Sequence, residues 1–432
     1  MRRLPTSLVM GSVAVMCASG CLASRDAVGD RPQPADERVE VLALSGALPA
    51  ADAFAVVEAP RVPARGTSTP SDIAVRSEAS INAPGRAMLA AQRELPTTRR
   101  HLTLAFTGDT LPHRPLVDQA WASGGGAGFD FRPMFARVAS IIGSVDLAVC
   151  HLETPVAPAG ERLSTAPIYG VPVEIVDAIS WAGYDRCSTA SNHSLDRGIA
   201  GIDATVTALA AAGVGESGMA RTLDETIAPV VTVSGIAVAH LSYAYGFNGL
   251  RLPPGEEWRA NVIDPVRIVA DALVARERGA DVVIVSLHWG TERVSTPTES
   301  QRAVAEVITA SGAVDLIVGH HAHVLQPIEL VNGRWVAFGL GNFLSNMPTG
   351  DSWPASSQDG AVITVTIDEL ADHSLVVRQP VVQPTWVDRD AGWVIRPVLT
   401  DLADPTVSDG TRAELARSLA RTAEVLGPFL PS

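Results

Sequence analysis

The chain has 432 residues, 47% hydrophobic and 19% charged, which suits a folded globular protein and excludes a disordered one. The formal net charge is −14 and every one of the 33 Lys+Arg residues is arginine. Such an acidic chain lacks the clustered positive charge of a phosphate-backbone binder, so no nucleic-acid partner is expected.

Arg2 and Arg3 precede the apolar run LVMGSVAVMCA, which is too short to cross a bilayer as a mature helix. Small residues and a cysteine follow, Ala18-Ser19-Gly20-Cys21. A charged start, an apolar centre and small residues before a cut site describe an export signal over residues 1–20. With a cysteine directly after them, the stretch resembles a bacterial lipoprotein signal, which implies lipidation of Cys21. An ordinary secretory signal with an incidental cysteine is the alternative. Either way the chain is expected outside the cytoplasm, and the lipoprotein reading places it at the cell membrane. Residues 21–98 are rich in Ala, Pro, Arg and acidic residues without sustained periodicity, and read as a flexible tether.

From residue 99 the texture changes. LTLAF reads as a buried strand ending in Thr107-Gly108-Asp109, and VDLAVC as another running into His151-Leu152-Glu153. PVEIVDAISWAGY is helix-like and precedes Cys187 and the Ser191-Asn192-His193 segment. GIDATVTALAAAG is an amphipathic helix, and VVTVSGIAVAHLSY a hairpin turning at Ser234-Gly235. PVRIVADALVARERG is a helix, DVVIVSLHWG a strand and TESQRAVAEVITASG a helix. DLIVGHHAH and WVAFGLGNF close the series as strands. Strands alternating with helices imply a layered α/β fold, and near-continuous apolar runs imply strands covered on both faces. Beyond residue 370, QPTWVDRDAGWVIRPV suggests a C-terminal β extension, and DGTRAELARSLARTAEVLG an amphipathic helix that packs on the domain. The segments are therefore 99–370 for the main domain and 371–432 for the extension and helix. Cys150 and Cys187 each lie in or just after a strand; they fit either a disulfide of an exported protein or two small buried apolar residues, the second being the preferred reading.

Each strand ends in polar groups of one kind: Asp109; His151 and Glu153; Asn192 and His193; His288 and Glu292; His320, His321 and His323. Six of the ten histidines fall at these positions. Strand ends of an α/β sheet converge on one crevice, and imidazole with carboxylate oxygen is the ligand set of zinc, manganese or iron. Alternate residues of a strand share a face, so His321 and His323 are expected to present both rings to one side.

TGDTL (107–111), DLAVCHLETPV (146–156), ASNHSLDRGIAGIDAT (190–205), VVIVSLHWGTE (282–292), VDLIVGHHAHVLQPIE (314–329) and FGLGNFLSN (338–346) together resemble the CapA family of capsule and poly-γ-glutamate biosynthesis proteins, relatives of calcineurin-like metallophosphoesterases. The resemblance implies a layered α/β/β/α sandwich of metallophosphoesterase type. It also implies two divalent transition metal ions (Mn, Zn or Fe) held by Asp109, Glu153, Asn192, His288, His321 and His323, with Glu153 in the position of a bridging carboxylate. His193 takes the place of a general acid, with Asp196 orienting it or helping to order its loop. His151, Glu292, His320 and Asn342 are expected behind the ligands, with the His320 ring pointing away from His321 and His323. The family usually carries Asn where this chain has His151, which makes position 151 a possible ligand, and Asn-Asn-His where it has Ser191-Asn192-His193.

Such a centre suits hydrolysis of a phosphoester or amide bond, and equally the binding of a polyanion through its carboxylates. The expected function is thus an exported, membrane-anchored protein of surface-polymer biosynthesis or export, acting as a metal-dependent hydrolase or as a scaffold. Its partners would be an anionic surface polymer or a membrane synthase complex. Arg197 and Arg293 follow two motifs closely; solvated surface arginine is the preferred reading of both, with local attraction of the polymer as the alternative.

Overall fold

The computed structural model describes residues 100–347 and 352–431. The export signal, the lipidation site Cys21 and the whole tether lie outside the described residues.

The first half of the domain alternates strands and helices: β1 (His101–Thr110), α1 (Arg114–Ser123), β2 (Leu147–Leu152), α2 (Glu174–Ala182), β3 (Arg186–Ser188), α3 (Gly198–Ala211) and β4 (Gly215–Ser217). The second half opens with the hairpin β5 (Val230–Val233) and β6 (Ile236–Ala244), turning at Ser234 and Gly235 in left-handed backbone. Positive φ at both turn residues matches the right-handed twist of the flanking strands. It continues through α4 (Pro265–Glu277), β7 (Val282–His288), α5 (Glu299–Ala310), β8 (Leu316–His320), β9 (Leu325–Val331), β10 (Arg334–Leu340) and β11 (Asn342–Leu344). The chain then adds β12 (Asp359–Glu369), β13 (Leu375–Val377), β14 (Val381–Asp388), β15 (Val394–Pro397), α6 (Val398–Ala403) and α7 (Asp409–Leu426). Helix starts follow local chemistry. The Asp264 side chain accepts from Val266 and Arg267 N–H ahead of α4, and Thr298 with Gln301 forms a reciprocal cap ahead of α5.

Two sheets result. One runs β15-β14-β12-β1-β2-β3-β4, with β11 added on β1 and β13 on β12; the other runs β5-β6-β7-β8-β10-β9. Alternate residues decide which core each strand feeds. Leu102, Leu104, Phe106, Leu147 and Val149 of the first sheet meet Val238, Val282, Ile284, Leu316 and Val318 of the second. The intervening residues face helices: Ala148 and Cys150 meet α1 and α2, while Val283, Val285 and Ile317 meet α4 and α5. This is the expected α/β/β/α sandwich. The C-terminal extension is equally as expected: β14 and β15 widen the first sheet, and α7 buries Leu415 against Trp386 and Val398.

Three details depart from the sequence reading. Cys150 and Cys187 are register partners on β2 and β3 and form a disulfide, with Cα atoms 4.4 Å apart, rather than remaining two separate apolar side chains. Strand β9 is an added element, announced by Asn332-Gly333, the left-handed turn that joins it to β10. The DLIVGHHAH segment leaves strand geometry at His320, and the residues after it form a bend.

The disulfide closes a loop with a sequence separation of 37 residues. Cys150→Ser combined with Cys187→Ser is expected to lower unfolding stability by about 2–4 kcal/mol in urea titration; an unchanged midpoint would mean the link adds nothing to the fold.

Candidate metal centre

The inter-sheet layer is apolar at one end and polar at the other, because the same alternation continues to the strand ends. On β2 the series Leu147, Val149 reaches His151; on β7, Val282 and Ile284 reach Ser286 and His288; on β8, Leu316 and Val318 reach His320. His288 and His320 are direct register partners. On β1 the alternation needs a correction. Between Phe106 and Asp109 that strand advances three residues while β2 advances two, from Val149 to His151. This irregularity sets Asp109 beside His151. Gly108 sits at the extra residue, where a Cβ would lie 2.2 Å from the carbonyl oxygen of Gly341.

Asp109 is the hub of the layer. Its carboxylate accepts from the His321 N–H at 3.1 Å, faces His320 Nδ1 at 3.2 Å and faces His323 Nδ1 at 3.1 Å. Burial opposes its charge, but hydrogen bonds from His320 and His323 outweigh burial and hold the carboxyl well below the usual carboxylate range. His151 stacks on His320 with ring centres 4.0 Å apart. A run of hydrogen bonds passes from Ser188 through His151 (2.8 Å) to His288 (2.9 Å) and on to the Asn192 side-chain oxygen (2.9 Å). Burial, then neighbouring histidines, push both His151 and His288 well below the usual imidazole range.

Glu153 is the anomaly. It is wholly buried, and neither carboxylate oxygen has a hydrogen-bond partner. The nearest bases are His323 Nε2 at 3.6 Å and His288 Nε2 at 4.0 Å. Burial drives its carboxyl well above the ordinary range. Burial also opposes a charge on His323, yet the Glu153 and Asp109 carboxylates prevail and lift it to about 10. His321 is pushed down to about 3, chiefly by burial, and its Nδ1 is buried without a partner.

His321 and His323 reach the site by a different route from strand alternation. Both adopt left-handed backbone, with φ of 86° and 54°. Such residues are uncommon outside glycine and cost on the order of 1–3 kcal/mol each, so the surroundings must hold them. The hydrogen bond from His321 N–H to Asp109 does so. So do the His323 Nδ1 bond to Asn342 Oδ1 at 2.9 Å and the Arg293 N–H bond to Ala322 O at 2.8 Å.

Among the described residues, four sets of three side chains bring ligand atoms within 4.8 Å of one another: Asp109, His151 and His320; Asp109, Glu153 and His323; Glu153, His288 and His321; Glu292, His321 and His323. Asp109, Glu153, His321 and His323 each belong to two sets, so the sets adjoin. Asn192 joins them through its contact with His288. His193 and Asp196 stand beside the cluster as a pair, Nδ1 to Oδ2 at 2.8 Å. The position of His320 corrects the sequence reading: its ring faces Asp109 and does not point away. The parity of Leu316 and Val318 would have placed it correctly. Tyr169, Tyr245 and Trp353 were missed. Their rings lie against His193 (4.7 Å), His321 (4.7 Å) and His323 (5.6 Å). They come from loops, and no spacing in the sequence links them to the strand ends.

Residues 103–347 match the bacterial capsule synthesis protein family PGA_cap. The chain is 27% identical over 269 residues to the PGA biosynthesis protein CapA of Bacillus subtilis (strain 168), covering 60% of this chain and 68% of that one. It is 30% identical over 175 residues to the capsule biosynthesis protein CapA of Bacillus anthracis, covering 40% and 42%. Among solved structures, the calcineurin-like phosphoesterase YfkN from Bacillus subtilis aligns with 75% of this chain and 97% of its own, at 17% identity and a TM-score of 0.37.

An unpartnered buried carboxylate opposes folding until something neutralises it. In chelator-treated protein, Glu153→Gln is therefore expected to leave unfolding stability unchanged or to raise it by about 1–2 kcal/mol. A loss of more than about 2 kcal/mol in chemical denaturation would show that the carboxylate is already satisfied.

Proposed function

Starting from the membership of this chain in the bacterial capsule synthesis family PGA_cap, we propose that it serves the synthesis or export of poly-γ-glutamate or a related surface polymer, as a metal-dependent hydrolase. The observation that carries the hydrolase reading is Glu153: a buried carboxylate with no hydrogen-bond donor, beside His288 and His323, is a group that a bound cation would satisfy. The donor set fits that cation. Imidazole nitrogens, carboxylate oxygens and one amide oxygen select a divalent transition metal such as manganese, zinc or iron. Asp109, Glu153, Asn192, His288, His321 and His323 would hold two such ions. His151 and His320 brace Asp109 and His288, Asn342 fixes the His323 ring, and Glu292 flanks His321 and His323. Bound there, the ions would supply charge stabilisation at a phosphoryl or carbonyl oxygen and a nucleophile at neutral pH.

The remaining chemistry falls to side chains of this chain. Asp196 accepts a hydrogen bond from His193 Nδ1–H, which leaves Nε2 to carry a proton to the departing oxygen. The Tyr169, Tyr245 and Trp353 rings wall the cluster and limit water around the reacting groups.

Substrate attraction rests on the centre itself. Arg197 is engaged with Tyr169 O, Arg162 O and Ser164, and Arg293 donates to Ser352 O while lying over the Trp353 ring. Arg197 is thus held inside its loop and paired with Glu161, whereas Arg293 is exposed, and the net charge of −14 supplies no long-range pull. The proposed setting is outside the cytoplasm, at the membrane, through a lipid on Cys21 and the tether of residues 21–98. The Cys150–Cys187 disulfide supports an oxidising compartment. Among the described residues no helix is long and apolar enough to cross a membrane.

Elemental analysis of the purified full chain is expected to find about two equivalents of transition metal, falling in Glu153→Gln and His323→Ala. Metal-loaded wild type is expected to cleave either a phosphodiester model compound or poly-γ-glutamate. Both variants should lose at least about 10²-fold in kcat/KM. Full metal content with no turnover of either class would replace the hydrolase with a polymer-binding scaffold. No metal uptake would remove the centre altogether.

A further inference from the structure

The segment between β2 and α2 is closed at its base by an isolated bridge between Val156 and Val171. The two strands of chain close its base: Ala157 N–H donates to Val171 O at 2.9 Å, and Val171 N–H to Pro155 O at 3.1 Å. Arg197, from the start of α3, extends its side chain into this loop. Its Nε donates to Tyr169 O at 3.2 Å and its Nη2 to Arg162 O at 2.6 Å and Ser164 Oγ at 2.7 Å. Its Nη1 faces Glu161 at 3.2 Å. The fit is close enough that a Cβ on Gly170 would stand 2.2 Å from the Arg197 Nε. Only 16% of the Arg197 side chain is exposed. It acts as an internal strut across residues 157–170.

Tyr169 links that strut to the candidate centre in two ways. Its backbone N–H donates to Asp196 Oδ2 at 2.7 Å, the same oxygen that receives His193 Nδ1. Its ring meets the His193 ring edge-on at 4.7 Å. The imidazole is therefore seated by one residue twice, through its hydrogen-bond partner and against its face. Arg197 in turn holds the carbonyl of that residue. We propose that Arg197 is a positioning residue for His193, acting through Tyr169 and the loop 157–170. The inference rests on the reading of His193 as the proton donor to the leaving group, and it explains why an arginine placed directly after Asp196 faces the loop. A lysine could not replace it, because a point charge cannot serve two carbonyls and a hydroxyl at fixed angles as the planar guanidinium does.

The test uses the full chain labelled with ¹⁵N-histidine, with the His193 signals assigned through His193→Gln. In the wild type, His193 is expected as one tautomer with a slowly exchanging Nδ1–H. In Arg197→Met that signal should broaden or vanish while metal content stays as in the wild type, and Arg197→Lys should recover little of it. An unchanged Nδ1–H in folded Arg197→Met overturns the proposal. Should Arg197→Met fail to fold, Ser164→Ala and Tyr169→Leu are read in the same way; unchanged His193 signals in both also overturn it. Kinetics add a second arm. Alkyl phosphodiesters need a proton on the departing oxygen and nitrophenyl esters do not, so Arg197→Met should slow the alkyl substrate about 10–100-fold and the nitrophenyl substrate far less. Equal losses on both would count against positioning of a proton donor. If the wild type cleaves neither these esters nor poly-γ-glutamate, the hydrolase reading fails, and the tautomer measurement still decides the role of Arg197.

Discussion

Two buried carboxylates govern this structure. Asp109 and Glu153 sit at the end of a layer whose other positions are Leu, Val, Ile and Phe. A buried aliphatic side chain at such a position would contribute about 1.5–3 kcal/mol. A carboxylate there costs free energy unless it is paired. The molecule treats the two differently. Asp109 is surrounded by donors, one backbone N–H and two imidazoles, and keeps its charge. Glu153 receives none and is driven toward the neutral form. Neighbouring acids pushed in opposite directions mark a site shaped for something other than stability.

The backbone around the carboxylates is correspondingly irregular. The extra residue in β1 exists because Asp109 must lie level with His151, and it is accommodated only where Gly108 lets the Gly341 carbonyl pass. The two left-handed histidines after β8 are the counterpart on the second sheet. The left-handed histidines are secured by hydrogen bonds to Asp109 and Asn342 and by the Arg293 N–H bond to Ala322 O, so backbone strain and site geometry depend on each other. The disulfide lies one residue before His151 and Ser188 and ties β2 to β3 where their polar ends begin.

Charge is used locally. The acidic chain places its nearby arginines in structural work, one across the 157–170 loop and one against Trp353, leaving the histidines as the basic groups of the centre. The aromatic wall and the seated His193–Asp196 pair come from loops carried by the rigid strand ends, the usual division between scaffold and chemistry in layered α/β folds.

Much of this was legible in the residues themselves. Apolar runs of strand length separated by helical periodicity determined the layering, because burial on both faces demands such runs. The recurrence of His, Asp, Asn and Glu at successive strand ends anticipated the cluster that the fold brings together, since strand ends converge whatever their order in the chain. Other features were decided only in three dimensions. The orientation of His320, the left-handed backbone at His321 and His323, and the extra residue before Asp109 depend on register between strands far apart in sequence. The Cys150–Cys187 link required two strands to be adjacent and in step. The role of Arg197 depended on which loop folded back over it. Alternation along one strand is a local property that sequence carries; the distance between side chains on different strands is not, because it is set by packing of the whole sandwich.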